Sequence, residues 1–154
     1  MKKLILIVGM LVFSGCATTY QQPTTVAAET SKEIAASQAD ILRAAKQVLV
    51  EEGFQITNAD DSAGVISTAP RNFHITPEQA DCGTTMGIDY LKDSRTSSKL
   101  GYGILASGGK LIVKANIESE YKPGDVTQNI TLTCVSRGTL EPPLLAKIAA
   151  VISR

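Results

Sequence analysis

The chain has 154 residues, 44% of them apolar and 19% charged, with 15 basic residues against 15 acidic ones and a formal net charge of +0. That length holds one domain with a core of its own, and the balanced charge excludes the basic stripe of a nucleic-acid binder. Three cysteines and a single histidine, His74, offer little material for a metal centre.

The first stretch reads Met1-Lys2-Lys3, then an apolar run over residues 4–13, then Ser14-Gly15-Cys16. A positive start, a short apolar segment and small residues before a cut describe a secretory signal peptide over residues 1–15. The run is too short for a transmembrane anchor, which needs about 20 apolar residues. Its Ser-Gly-Cys ending resembles the signal of bacterial lipoproteins, with Phe13 where that pattern usually has Leu. The resemblance implies cleavage before Cys16, a diacylglycerol on its thiol and an acyl chain on the new amine. Several chains make a stable membrane anchor. Ordinary cleavage, leaving Cys16 an unmodified thiol, is the alternative. Ala17 follows the cysteine where Asp would favour the inner membrane, so the same resemblance implies the outer membrane, facing the periplasm. Removing 15 residues leaves 139, with 13 basic against 15 acidic.

Residues 16–29 are rich in Thr, Gln and Ala without apolar period, and read as a flexible, disordered tether. About 14 extended residues would reach on the order of 45 Å. A peptide ordered by a partner is the alternative. Residues 30–52 then carry Ile34, Ile41, Leu42, Ala45, Val48 and Leu49 at three- and four-residue steps, predicting an amphipathic helix. Thr30 or Ser31 is placed to cap it, with Glu33 completing a capping box, and Gly53 to stop it. Residues 54–58 and 63–68 read as two strands around the turn 59–62, ended by Pro70.

This order of helix, Glu52-Gly53-Phe54, strand, turn and Ala63-Gly64-Val65-Ile66 resembles the helix-grip units of BamC-like outer-membrane assembly lipoproteins. The resemblance covers roughly residues 37–70 and the broad order of elements beyond. It implies a helix-grip fold and an envelope assembly role, and carries no functional residue across.

Residues 71–83 read as a loop and 84–90 as an edge strand with Met86, Ile88 and Tyr90 on one side. Residues 93–99 read as an exposed turn. Residues 100–106 can pair as a strand whose glycines point to a bulge or a close backbone approach. A turn at 107–109 leads to a strand over 110–118, with Leu111, Val113, Ala115 and Ile117 on one face. After a turn at 123–125 comes a strand over 128–136, with Ile130, Leu132 and Cys134 on one face. Residues 139–153 predict the closing helix, with Thr139 as cap, Pro142 and Pro143 in the first turn, and Leu144, Leu145, Ile148, Val151 and Ile152 buried.

In an oxidising compartment Cys82 and Cys134 read best as one disulfide, contributing about 4 kcal/mol in the chain-entropy description. A metal pair with His74 or Asp81 is the alternative, without CxxC or HxxxH spacing to support it. No GxSxG or Ser-His-Asp signature is present, and Asp60-Asp61 suits a turn.

The expectation is therefore an α+β chain of two-layer helix-grip type. An antiparallel sheet of four to five strands is covered by an N-terminal and a C-terminal helix, and residues 30–154 form one domain. The expected function is that of a non-enzymatic, membrane-anchored interaction module of the envelope. It touches the membrane through lipid on Cys16 and has envelope proteins as partners, without cofactor, metal or nucleic acid. Its contact surface would be the open sheet face or the 71–83 loop. The alternative is a lipoprotein that binds a small molecule or lipid.

Overall fold

The computed structural model describes residues 20–27, 30–124 and 128–153. The expected signal peptide and Cys16 lie outside them. In chain order the elements are β1 (Tyr20–Gln21), β2 (Thr30–Glu33), α1 (Gln38–Glu51), β3 (Ile56–Asp60), β4 (Val65–Thr68), β5 (Arg71–Asn72), β6 (Ala80–Asp81), β7 (Thr84–Thr85), β8 (Ile88–Asp89), a 3-10 turn (Tyr90–Lys92), β9 (Thr96–Ser107), β10 (Lys110–Tyr121), β11 (Ile130–Thr133), β12 (Val135–Ser136) and α2 (Glu141–Ile152).

The fold is α+β, with antiparallel pairing throughout the described strands. Its centre is the hairpin of β9 and β10, joined through Gly108 and Gly109 at positive φ, as a tight two-residue turn requires. The main sheet runs β11-β10-β9-β4-β3, with β2 added beside β10 and β5 beside β9. That makes seven strands, more than the four to five expected. The remaining strands form two small sheets, β1-β7-β8 and β12-β6.

Alternation sets the buried face. Leu100, Tyr102, Ile104 and Ala106 of β9 and Leu111, Val113 and Ala115 of β10 are all buried. Against them pack Ile41, Leu42, Ala45, Val48 and Leu49 of α1 and Leu144, Leu145 and Ile148 of α2. Full burial of such side chains is worth about 1.5–3 kcal/mol each. Among the described residues no helix is long and apolar enough to cross a membrane.

The first helix starts later than its apolar spacing suggests. Residues 30–33 are not its first turn, and Thr30 and Ser31 do not cap it. They pair as β2 with 110–113 of β10. Only Ile34 offered an apolar anchor to a longer helix, whereas the free edge of β10 offers partners to a whole row of backbone groups. The cap is Ser37, whose Oγ accepts the Asp40 N–H at 3.2 Å. Gly53, at φ +78°, ends the helix as expected.

Other boundaries move for similar reasons. Residues 96–99, expected in a turn, are the first part of β9, opposite 118–121. Residues 128–136 form two strands with Cys134 between them, β11 pairing with β10 and β12 with β6. Residues 84–90 form a two-strand hairpin rather than one edge strand, and Met86 and Ile88 at its tip are 84% and 61% exposed. Thr139 does not cap α2: Leu140 stands at the N-cap without a side-chain bond. The glycines of β9 do mark a close approach, since a Cβ on Gly101 would lie 3.2 Å from the Thr68 carbonyl oxygen.

Candidate functional site

Two places gather side chains that the sheet and helices do not need for themselves. The first lies at the disulfide. Cys82 and Cys134 are bonded to each other, as expected, closing a separation of 52 residues. The 71–83 stretch, expected to be a loop, begins with β5 and ends with β6; Cys82 is fully buried just after β6, and the bond holds that end against the β11–β12 strand break.

Onto this corner folds the segment expected to be a loose tether. The expectation is corrected for Tyr20 to Thr25. Tyr20 and Gln21 pair with Thr85 and Thr84. The Tyr20 hydroxyl lies between the carbonyls of Cys82 (3.3 Å) and Thr133 (3.4 Å) and accepts the Thr133 N–H at 3.1 Å. Its ring packs at 5.7 Å, tilted by 57°, against Tyr90, which meets Tyr121 edge-on at 4.9 Å.

Asp81, named from the sequence as an alternative metal ligand, fastens the strap. Its Oδ2 accepts the N–H groups of Thr24 and Thr25 at 3.2 Å and the Thr25 hydroxyl at 2.8 Å. Its Oδ1 accepts the Gly83 N–H at 3.0 Å. Arg137 completes the knot, donating to Thr25 Oγ1 at 3.1 Å and to the Pro77 carbonyl at 2.8 Å. Burial alone would raise the Asp81 pKa, but the hydrogen bonds from Gly83, Thr25 and Thr24 outweigh it and hold the carboxyl below its ordinary value. Asp81 is thus committed to backbone amides rather than to a metal. His74, the other candidate ligand, is an exposed loop residue. No group of three His, Cys, Asp or Glu able to hold a metal occurs among the described residues.

The second place is a cleft of about 210 Å³ between the 71–83 loop and the start of α2. Phe54, Phe73, Tyr102 and Leu140 line it, and Glu52 and Lys147 face each other as an ion pair on its rim. Arg71 spans it. The guanidinium carbon stands 4.4 Å from the Phe54 ring centroid and 5.8 Å from that of Phe73. Both distances are within the range of a cation–π contact. No carboxylate or carbonyl among the described residues takes a hydrogen bond from the Arg71 side chain. Phe54 in turn meets Tyr102 edge-on at 5.0 Å. The Tyr102 hydroxyl donates to the Leu140 carbonyl at 2.9 Å. Burial first, and then the Glu141 carboxylate, push the Tyr102 pKa up to about 12, so it stays a neutral phenol.

The open face of the sheet, the other expected contact surface, carries one apolar row. Val65 is opposite Leu105, which is opposite Ile112. The next rows bring Ser67, Gly103 and Lys114, then Gly101 and Asn116. Sequence reasoning named the loop and the sheet face but not the Arg71 cleft, because Phe54, Arg71 and Tyr102 come from three separate segments. An arginine one residue after a strand-ending proline gives no signal of its own.

No protein-family model matches the chain, and no curated protein matches it. Among solved structures, a DUF4468 family protein from Bacteroides ovatus is similar at 15% identity with a TM-score of 0.44. The match covers 68% of this chain and 58% of that one, so the chain spans less than two thirds of its length.

Proposed function

We propose that this protein is a lipid-anchored lipoprotein of the bacterial outer membrane, facing the periplasm, and a non-enzymatic module that binds another envelope protein. The Ser14-Gly15-Cys16 signal supports the anchor, and the Cys82–Cys134 disulfide suits an oxidising compartment. In this reading the sheet and the two helices form a two-layer helix-grip arrangement, as the resemblance to BamC-like lipoproteins implies.

The observation that carries the binding role is Arg71. Its guanidinium is oriented by two rings, yet its N–H groups have no hydrogen-bond acceptor among the described residues. A planar fork of donors held over an apolar floor fits a carboxylate, with which arginine forms paired charge-assisted bonds. The partner would present an acidic side chain or a chain terminus. The cleft volume favours this over a lipid or a drug-sized ligand, for which pockets of about 300–1,000 Å³ are usual.

The test is a photo-crosslinking amino acid at Phe73, on the cleft, in cells carrying a C-terminally tagged chain. Adducts would be recovered from detergent-solubilised envelopes and identified by mass spectrometry. One dominant protein adduct, lost with Arg71→Ala in a chain that still folds, is the expected result. Adducts indifferent to Arg71 would end the reading.

A further inference from the structure

The hairpin of β7 and β8 has the wrong residue at its turn for a hairpin that only has to fold. Met86 and Gly87 form the two-residue link, with φ of +49° and +78°. Such a turn suits Asn-Gly or Asp-Gly, because positive φ strains a residue with a long side chain. Met86 is the one described non-glycine residue in that region, and its side chain is 84% exposed. Ile88, across the turn, is 61% exposed. Residues 84–88 read Thr-Thr-Met-Gly-Ile and carry no charge. The nearest acid, Asp89, is engaged in accepting the Leu91 N–H at 2.8 Å. Strain spent on displaying an apolar side chain to solvent is a mark of function.

The register says what that side chain faces. β1 runs antiparallel to β7, with Tyr20 opposite Thr85 and Gln21 opposite Thr84. Going back toward the N-terminus, the chain therefore leaves β1 at the hairpin's tip end, beside Met86. Three residues lie between Cys16 and Tyr20, so the four steps of chain span at most about 14 Å. The Asp81 and Tyr20 contacts fix this exit point, so a lipid on Cys16 cannot stand far from the tip.

We infer that the Met86–Ile88 tip is a membrane-contact element, which enters the interfacial region of the lipid bilayer beside the anchored N-terminus. This rests on the lipid-anchor reading. The acyl chains hold the protein on the membrane, and the uncharged tip fixes which end of the domain meets it, at no cost in buried charge. The β1–Asp81 strap converts a long leash into a short mount.

The sequence contains no tryptophan, so Met86→Trp introduces a single reporter. The lipidated protein, purified from membranes, would be reconstituted in phosphatidylethanolamine/phosphatidylglycerol vesicles, with and without brominated acyl chains. Val50→Trp, at another exposed apolar position on α1, is the comparison, and Ile88→Trp is the second tip reporter should Met86→Trp not fold. The expected result is a blue-shifted tip emission, quenched by the brominated chains several-fold more strongly than that of Val50→Trp. Equal, weak quenching at both sites, in a chain whose intact mass shows lipid on Cys16, overturns the tip contact and leaves the anchor standing. An intact mass showing a bare Cys16 overturns the anchor, and the tip contact with it.

Discussion

The backbone N–H of Ala115 donates to the Glu141 carboxylate at 3.2 Å, at the one interval of β10 where two neighbouring strands leave a gap. β2 pairs with β10 as far as Val113, and β11 takes up the same edge from Glu118. Glu141, fully buried at the start of α2, fills the interval, and its other oxygen accepts the Ser136 hydroxyl at 3.0 Å. A carboxylate thus stands in for a missing strand, and it ties α2 to the sheet.

Glu141→Ala is expected to lower stability by about 3 kcal/mol, because it strands the Ala115 N–H and the Ser136 hydroxyl in the interior. Glu141→Gln should cost less, since its amide oxygen can still accept one of the two. Urea unfolding of the three proteins checks this. A loss below about 1 kcal/mol in Glu141→Ala would mean that solvent reaches the gap.

Reducing the Cys82–Cys134 bond, or replacing both cysteines by alanine, should cost about 4 kcal/mol for a loop of 52 residues. It should also loosen the strap, because Tyr20 is bonded to the backbone on either side of the disulfide. Limited proteolysis within residues 20–27, with and without reductant, reads the second effect separately from global unfolding.

The strap should release in acid. The Asp81 pKa is depressed in the folded chain, so its contribution is complete above the ordinary value of 3.8 and is lost as pH falls through the lower, folded value. Relative to the intrinsic rate at each pH, amide exchange at Thr24 and Thr25 should therefore accelerate below about pH 4. In Asp81→Asn it should be fast already at neutral pH, with the acid step gone. Identical exchange in the two proteins would show that Asp81 does not hold the strap.

Gly83 and Gly87 lie at similar φ, +83° and +78°, in very different surroundings. A Cβ on Gly83 would stand 2.2 Å from the Gln21 carbonyl oxygen, whereas nothing lies within 4 Å of one on Gly87. Gly87→Ala should cost about 1–2 kcal/mol of backbone strain alone. Gly83→Ala should cost more and expel β1 from its sheet. Proteolysis of the strap in Gly83→Ala but not in Gly87→Ala is the expected result, and equal protection in both would count against the Gly83 contact.

Arg71→Ala should change stability by less than about 1 kcal/mol, the worth of an exposed cation–π contact, while abolishing the cleft's crosslinks. Arg71→Lys should not restore them, because an ammonium lacks the planar pair of donors. A large stability loss on thermal melting would assign Arg71 to the fold instead.

What the sequence determined by itself was whatever repeats within a few residues. The core faces of α1 and α2 follow from three- and four-residue steps. The alternation of Leu111, Val113 and Ala115 and the glycine turn at 107–109 predicted the central hairpin. Two cysteines left over in a chain expected to be secreted predicted their bond. The tertiary structure alone decided where partners lie far apart along the chain. Residues 30–33 had a fair helical cap, yet the open edge of β10 gave their backbone more. Residues 20–25 had no apolar period, yet Asp81 and the Cys82 corner supplied acceptors and a ring to pack against. Glu141 reads as a polar first-turn residue and is buried because a sheet edge there lacks a strand. Arg71 gains its place from rings at 54 and 73 that no local pattern connects. Local propensity is set by neighbours within a turn or two, whereas burial and hydrogen-bond satisfaction are settled by whichever distant groups the folded chain brings alongside.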